Sequence, residues 1–400
     1  MKTVARWHKS IDELSEIEWN DIFHNEIIKS YAIFKAVEYS KMDTVCHYYL
    51  SISSDIKTVA IVPCFTYKLD LCVLMDKKTQ HFVNKVRKIW SSFLFMDIFC
   101  AGSLIATCEQ HFGITPHSTN DYYTEIKHHI NTEIKKKVKE TKSSIVFIKE
   151  VPANELEHVK NFLDDDFIFY YSLPNTFIPT SKEFHSYPQA LSNRSRKRFH
   201  KFSNKFDELG IHWEIYNDFS HLTEVMFKLY YEVYNRSKNK FDRLNKLFFD
   251  NINKYLPETS YIALSKTSTG EITSIMLVIE EKTKLVPLYL GLNYTFDDYR
   301  TVYFNTLFKT ISESEKKNKD ILILGQTSYY PKIHTGFLMQ DLYLGFYSHK
   351  IIYKLCIKYL FKYLFPRTNK PCNYKYTDIE KLKTWVKKNN LFVDLSKIND

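Results

Sequence analysis

Glycine is scarce in this sequence, at 8 of 400 residues, and the few present follow no period. Collagen-like and glycine-repeat architectures are excluded, and most turns must form without the residue that enters left-handed backbone most cheaply. The cysteines (Cys46, Cys64, Cys72, Cys100, Cys108, Cys356 and Cys372) supply no C-x-x-C pair and no zinc-ligand spacing, so no metal site is expected. Odd in number and set mostly among apolar neighbours, they read as buried free thiols of a reducing compartment. The first nine residues lack the apolar region of a signal peptide. No run approaches the ~20 apolar residues that span a bilayer. The expectation is a cytoplasmic chain with no transmembrane segment.

What is present suits a folded enzyme-sized molecule. Four hundred residues exceed one ordinary core and predict two domains, and 44% hydrophobic content is enough to fill both. Lys, Asn, Ile, Phe and Tyr are abundant, a bias read first as compositional. The formal net charge of +10 favours anionic partners: cofactor phosphates, tRNA or a membrane surface.

Periodicity predicts an α/β order. Residues 11–19 and 25–39 read as helices, 47–53 and 59–67 as a hairpin, 77–92 as an amphipathic helix and 92–106 as a strand or apolar loop. A long helix over 121–141, a strand at 144–149, a helix at 152–163 and a closing strand at 167–176 complete the first half. After a linker at 179–187, helices are predicted over 186–209, 219–236, 244–256 and 300–318. Strands are predicted over 211–216, 261–266, 271–280, 284–292, 320–324 and 343–349. Both halves share a helix–hairpin–helix–strand succession, which implies two related domains: 1–178, 179–366, and a tail 367–400.

Three segments then carry a family likeness. They are Leu191-Ser192-Asn193-Arg194-Ser195-Arg196-Lys197-Arg198, the strand Leu288-Tyr289-Leu290-Gly291-Leu292-Asn293, and the stretch from Leu322 through Gly325, Gln326, Lys332 and His334 to Gly336-Phe337. Together they resemble the FemAB-like branch of the GNAT superfamily, relatives of the peptidoglycan-type aminoacyltransferases. Glu18-Trp19, residues 34–40 and Ile61-Val62-Pro63-Cys64-Phe65 resemble the first domain of the same group. The likeness implies two tandem GNAT-like domains, each a mixed, mostly antiparallel twisted sheet flanked by helices, with a loop and a closing hairpin after the 320–324 strand. It also implies N-acyl transfer from acyl-CoA, acyl carrier protein or aminoacyl-tRNA to a small-molecule or peptidyl amine, with no permanently bound cofactor. One departure bears on the donor. CoA-dependent members hold the pyrophosphate on a glycine-containing loop at a helix N-terminus. Here that loop is Tyr294-Thr295-Phe296-Asp297-Asp298-Tyr299-Arg300-Thr301, with no glycine and two carboxylates.

Acyl transfer to an amine needs a held donor, a deprotonated amine and a hydrogen-bond donor for the oxyanion. The likeness implies that a backbone N–H around 290–293 serves the oxyanion, which agrees with the lack of a Gly-x-Ser-x-Gly elbow. Candidates for proton transfer are His334, Asp298 and Glu280, with Tyr289 and Tyr294 as possible donors to a leaving group. Gln326, Tyr329 and Lys332 follow a strand's C-terminal end, where α/β folds bind ligands, and Asn293 belongs to the same rim. Against each stands an ordinary role: surface histidine, solvated hairpin end, packed tyrosine, or a turn fixed by Gly325 and Pro331.

Arg194, Arg196, Lys197, Arg198, Lys201 and Lys205 form the main basic run. On a helix, Arg194, Arg198, Lys201 and Lys205 share a stripe suited to tRNA phosphates or an acidic carrier protein, while Phe199, Phe202 and Phe206 point to the core. A solvated helix face is the simpler reading. The rival function is a catalytically silent GNAT-fold module that binds RNA or a protein through this stripe. Residues 350–365 alternate Lys with Ile, Leu, Tyr and Phe; a packed C-terminal helix is the reading adopted over a membrane-grazing one.

Overall fold

The computed structural model describes residues 3–55, 57–74, 77–115, 120–180, 186–237, 243–367, 376, 378–389 and 391. Cys372, positions 181–185 of the expected linker and most of the expected tail lie outside these residues. The other cysteines are free thiols, four of them buried, whereas Cys46 is exposed and departs from the expectation. In chain order the strands are β1 (Thr3–His8), β2 (Cys46–Ser54), β3 (Lys57–Asp70), β4 (Phe95–Ala101), β5 (Gly113–Ile114), β6 (Ile145–Pro152), β7 (Ile168–Tyr171) and β8 (Asn175–Pro179). They continue with β9 (His212–Tyr216), β10 (Ser260–Lys266), β11 (Ile272–Glu280), β12 (Lys284–Leu292), β13 (Ile321–Gly325), β14 (Leu338–Gln340) and β15 (Leu342–Tyr347).

The chain forms two compact units. Unit 1 comprises Met1–Leu173, Lys238–Arg243 and Asp341–Thr368; unit 2 comprises Pro174–Ser237, Leu244–Gln340 and Asn369–Asp400. The sheet of unit 1 runs β1-β2-β3-β4-β6-β15-β7, with β5 paired to β3, and that of unit 2 runs β9-β10-β11-β12-β13-β8-β14. Both follow one plan: an antiparallel meander of four strands, a parallel neighbour, then two antiparallel strands. The parallel pairs are β4/β6 and β12/β13, each joined by a long crossover helix, as parallel pairing requires.

The sixth place in each sheet is filled from the other half of the sequence. β15 lies between β6 and β7, and β8 between β13 and β14. This corrects two expectations. Residues 167–176 are not one closing strand: β7 stops before Pro174, which has no N–H for a ladder, and β8 enters the other sheet. Nor do β14 and β15 form a closing hairpin, since β15 belongs to the first sheet. The helix expected over 186–209 is also broken, into Tyr187–Ala190 and Asn193–Glu208, where Leu191 forms an isolated bridge with Tyr376.

Each crossover helix buries one stripe. In unit 1, Ile126, Ile130, Ile134 and Val138 of Asn120–Glu140 recur every four residues and are fully buried against the sheet. In unit 2, Phe308 and Ile311 of Tyr299–Lys316 join Met276, Val278 and Leu285 in the core. The helix Asn193–Glu208 lies on that layer, with Phe202 stacked on Phe304 at 4.4 Å and Phe199 against Phe308 at 4.8 Å. The phenylalanines of the basic helix thus face inward, as their spacing predicts. No helix among the described residues is long and apolar enough to cross a membrane.

Candidate functional site

The unit 2 sheet opens at its centre. β12 and β13 are in register only at Lys284↔Ile321 and Leu285↔Leu322, and beyond these pairs the strands part. Register shifts lie on both sides of the opening, at Leu277/Val278 beside β12 and at Ile323/Gly325 in β13. An extra residue on one strand breaks the ladder and bends it, so these irregularities drive the splay. Leu288, Tyr289 and Leu290 are half-buried there, although they lie on the sheet's central strand. The N–H of Asn293 donates to Thr273 O, on the β11 side. Strand alternation then turns the N–H groups of Leu290 and Leu292 toward the gap.

Asn293, Tyr294 and Asp298 rim the C-terminal end of β12. Asn293 Oδ1 accepts from the N–H and hydroxyl of Thr295 at 3.0 and 2.7 Å, while its amide donates to Glu271 Oε1 at 2.9 Å. It is a turn former by geometry. Tyr294 lies under the Arg236 guanidinium at 4.1 Å and beside Tyr299 at 5.3 Å; burial raises its phenol above the usual value. Asp298 precedes the helix Tyr299–Lys316 without capping it through its side chain. Asp297 is exposed beside it, so the glycine-free loop presents a carboxylate to solvent at the start of the crossover helix.

Across the opening, the segment after β13 is a tight turn and the short helix Tyr329–His334 rather than an open loop. Gly325, Thr327 and Ser328 all have positive φ, at 64°, 66° and 49°. Two non-glycine residues in that region cost backbone energy, a frequent mark of functional sites. Tyr303, from the crossover helix, hydrogen-bonds Ser328, and burial raises its phenol. Lys332 Nζ donates to the carbonyls of Leu324, Gly325 and Gln326 at 2.7, 3.2 and 3.1 Å. Its ammonium therefore ties down the end of β13, where the sequence placed it among candidate ligand-binding residues. Tyr329 is buried and donates to Pro174 O at 2.9 Å, a similar inward task. Gln326 stays half-buried at the rim.

His334 closes this helix with its ring edge-on to Tyr330, centroids 4.2 Å apart. Burial lowers its pKa first, and Arg198 and Arg194 lower it further. The structure thus brings His334 together with the start of the basic helix Asn193–Glu208. Arg194 is exposed and Arg198 half-buried, whereas Arg196 turns inward to the carbonyls of Pro188, Gln189 and Leu191 at 2.9, 3.1 and 3.0 Å. Arg196 is accordingly a brace for the broken helix rather than part of the cationic stripe.

Glu280 is placed elsewhere. It pairs with Leu285, at the end of β12 opposite the opening. Burial raises its pKa, but Lys317 at 2.6 Å and Lys319 at 3.0 Å outweigh this and hold the carboxyl low. A locked, ionised carboxylate at that distance is not the base of this site. Tyr289 packs on Tyr230 and Phe248 at 5.5 and 5.7 Å, on the helical side of the opening. Sequence reading missed Tyr303, Ser328 and Arg236. A left-handed pair without glycine leaves no sequence signal, and Tyr303 is one of many helical tyrosines.

Among the described residues, unit 1 has no equivalent opening. β4 and β6 stay in register from Ile98↔Ile145 to Ala101↔Ile148. The loop that follows β4 is drawn in by Lys149, whose Nζ donates to the carbonyls of Ser103, Leu104 and Ile105 at 3.2, 3.0 and 2.9 Å. Among the described residues, no group of three or more His, Cys, Asp or Glu is placed to hold a metal ion.

No protein-family model matches the sequence, and no curated protein matches it. Solved structures do share its architecture. FemX covers 89% of this chain with 100% of its own at a TM-score of 0.53 and 10% identity. The C-terminal domain of a putative lysylphosphatidylglycerol synthetase from Agrobacterium fabrum covers 90% with 99% of its own, at 0.52 and 8%. A conserved protein of unknown function from Bacteroides thetaiotaomicron covers 86% with 100%, at 0.50 and 7%. At these identities the likeness is one of fold. The chain has a fold of two tandem GNAT-like domains, and in unit 2 the central strands β12 and β13 part beyond Leu285↔Leu322.

Proposed function

We propose that the chain is an N-acyltransferase that moves an acyl or aminoacyl group from an activated donor to an amine by direct attack in unit 2. The observation that carries this reading is the parting of β12 from β13, which exposes backbone N–H groups of a central strand to a gap. The amine nitrogen attacks the donor carbonyl, and the oxyanion forms within reach of a strand N–H such as that of Leu290. Collapse expels the donor's oxygen or sulfur with the bond's electrons. The amine proton passes to a base, for which His334 is the candidate because its surroundings keep it neutral. Asp297 and Asp298 disfavour a pyrophosphate at the crossover helix, while exposed Arg194 and Lys201 favour an anionic carrier. Aminoacyl-tRNA is therefore the leading donor, ahead of acyl carrier protein and acyl-CoA.

The purified chain should be incubated with each donor class and a pool of small and peptidyl amines, and the products read by mass spectrometry. The expected result is an amide formed from aminoacyl-tRNA, with acyl-CoA turned over more slowly. If none of the three donors is consumed, the transferase reading falls. Acyl-CoA as the best donor would overturn the argument from the acidic loop.

A further inference from the structure

Two stretches of unit 1 combine basic charge, exposed apolar side chains and no acid. Residues 342–368 contain no Asp or Glu, and neither do residues 77–96. The first holds the helices Ile351–Tyr359 and Phe361–Leu364, which pack on the sheet through Ile357, Phe361 and Phe365. Tyr170 fixes the pair by donating to Ile357 O at 2.5 Å. The outward side should then be polar, and it is not. Ile351 is 67% exposed, Ile352 70%, Leu355 50% and Tyr359 57%. At 3.6 residues per turn these four fall in an arc of about 100° opposite Ile357. Lys354 and Lys358 run along one edge of that arc, and Lys350 and Lys362 extend the row at each end, all exposed. The second stretch exposes Phe82, Ile89 and Trp90, with Lys85 and Lys88 beside them.

Both stretches emerge at one end of the same sheet. Trp90 precedes β4, whose first turn meets the start of β6 where Ser144 N–H donates to Asp97 O at 2.7 Å. β15 ends beside the same point: Ser348 Oγ donates to Ser144 O at 2.7 Å, and Lys350 Nζ to Ser144 Oγ at 3.2 Å. Lys139 also acts on His349 there, beside Lys350.

We infer that this end of unit 1 and the outer face of the helix Ile351–Tyr359 form a docking surface for an anionic phospholipid bilayer. An apolar arc with lysines along its margin, and no carboxylate within either stretch, matches a surface of acyl chains beneath negative headgroups. The lysine stems lie along the apolar face while the ammonium groups reach the phosphates. Trp90 suits the headgroup boundary, where an indole is apolar in body and polar at its N–H. The packed-helix reading of residues 350–365 holds for the inward side alone. This inference does not rest on acyl transfer, since it concerns unit 1 and binding only.

The full chain should be floated with vesicles of phosphatidylglycerol and phosphatidylcholine, and with phosphatidylcholine alone, at low and high salt. Binding to the anionic vesicles is expected, weakened by salt and nearly lost on the neutral ones. Lys354→Gln with Lys358→Gln should weaken it about 25-fold, taking about fivefold per lysine. Ile351→Ser with Leu355→Ser should weaken it about tenfold or more. These side chains are exposed, so the variants should keep the parent's thermal unfolding midpoint, which separates lost binding from lost fold. Absence of binding, or equal binding to both vesicles, overturns the inference. A dimer in light scattering that the Ile351→Ser, Leu355→Ser variant abolishes would assign the face to a second copy instead. New binding on removal of residues 368–400 would assign it to that segment.

Discussion

Arg194 and Arg198 do two things at once for His334: they crowd it with positive charge and present a cationic surface next to it. The imidazole is pushed below its ordinary value by burial and then by these guanidinium groups. The folded state therefore resists a proton that the unfolded chain accepts below pH ~6.5, so acid costs stability through this residue and the neutral form persists at neutral pH. Replacing both with glutamine removes the repulsion and raises the His334 pKa toward the unfolded value. NMR titration of the ring should show that rise. If His334 is the base, the acid limb of the rate profile should move to higher pH by the same amount. An unmoved limb with a shifted ring would remove His334 from the chemistry. At this scale the sequence was only partly legible. Lys332 and Tyr329 stood out as polar residues after a strand, but whether an ammonium faces a ligand or three carbonyls depends on how the chain turns afterwards. Here a left-handed pair at Thr327 and Ser328 makes that turn.

At the scale of elements, the helix Thr223–Arg236 packs tightly on β12 beside the opening. Gly291 permits it: a Cβ built there would lie 2.7 Å from Leu229 Cβ and 2.9 Å from Ile275 Cγ2. Gly291→Ala forces the helix or β11 to move, and overpacking of this kind costs about 1–3 kcal/mol. Denaturant unfolding should show the loss as a lower midpoint at unchanged slope. Turnover should fall more than stability does, because the displaced strand carries the proposed oxyanion N–H groups. Stability equal to the parent would mean that the contact relaxes freely. The strand 284–292 and the helix after it were readable from alternation and helical period. The edge strand β1 was not, since Thr3–His8 carries two basic residues in six and owes its pairing to β2, far along the chain. Nor could spacing reveal the splay: it is an absence of pairing between β12 and β13, and pairing is non-local.

For the whole molecule, what matters is that sequence order and sheet membership part company twice. Two successive halves were a fair reading of the element order, because each half supplies all but one of its own sheet's strands. The short segments at 172–174 and 341 redirect the next strand, and nothing in so few residues marks the destination. The consequence is testable by dissection. A fragment of residues 1–178 lacks β15, so β6 loses its antiparallel neighbour and β7 loses its ladder with β15. The removed strand also takes Leu342, Leu344 and Phe346, three buried side chains worth together about 5–9 kcal/mol of burial. That exceeds much of the 5–15 kcal/mol by which domains are usually stable. The fragment should be unfolded or aggregated by circular dichroism and size exclusion. Residues 1–178 joined by a flexible linker to 341–367 should regain cooperative unfolding, because the linker restores the missing strand together with the Arg367–Asp341 ion pair at 2.6 Å. A folded 1–178 fragment would show that β15 merely decorates a complete sheet.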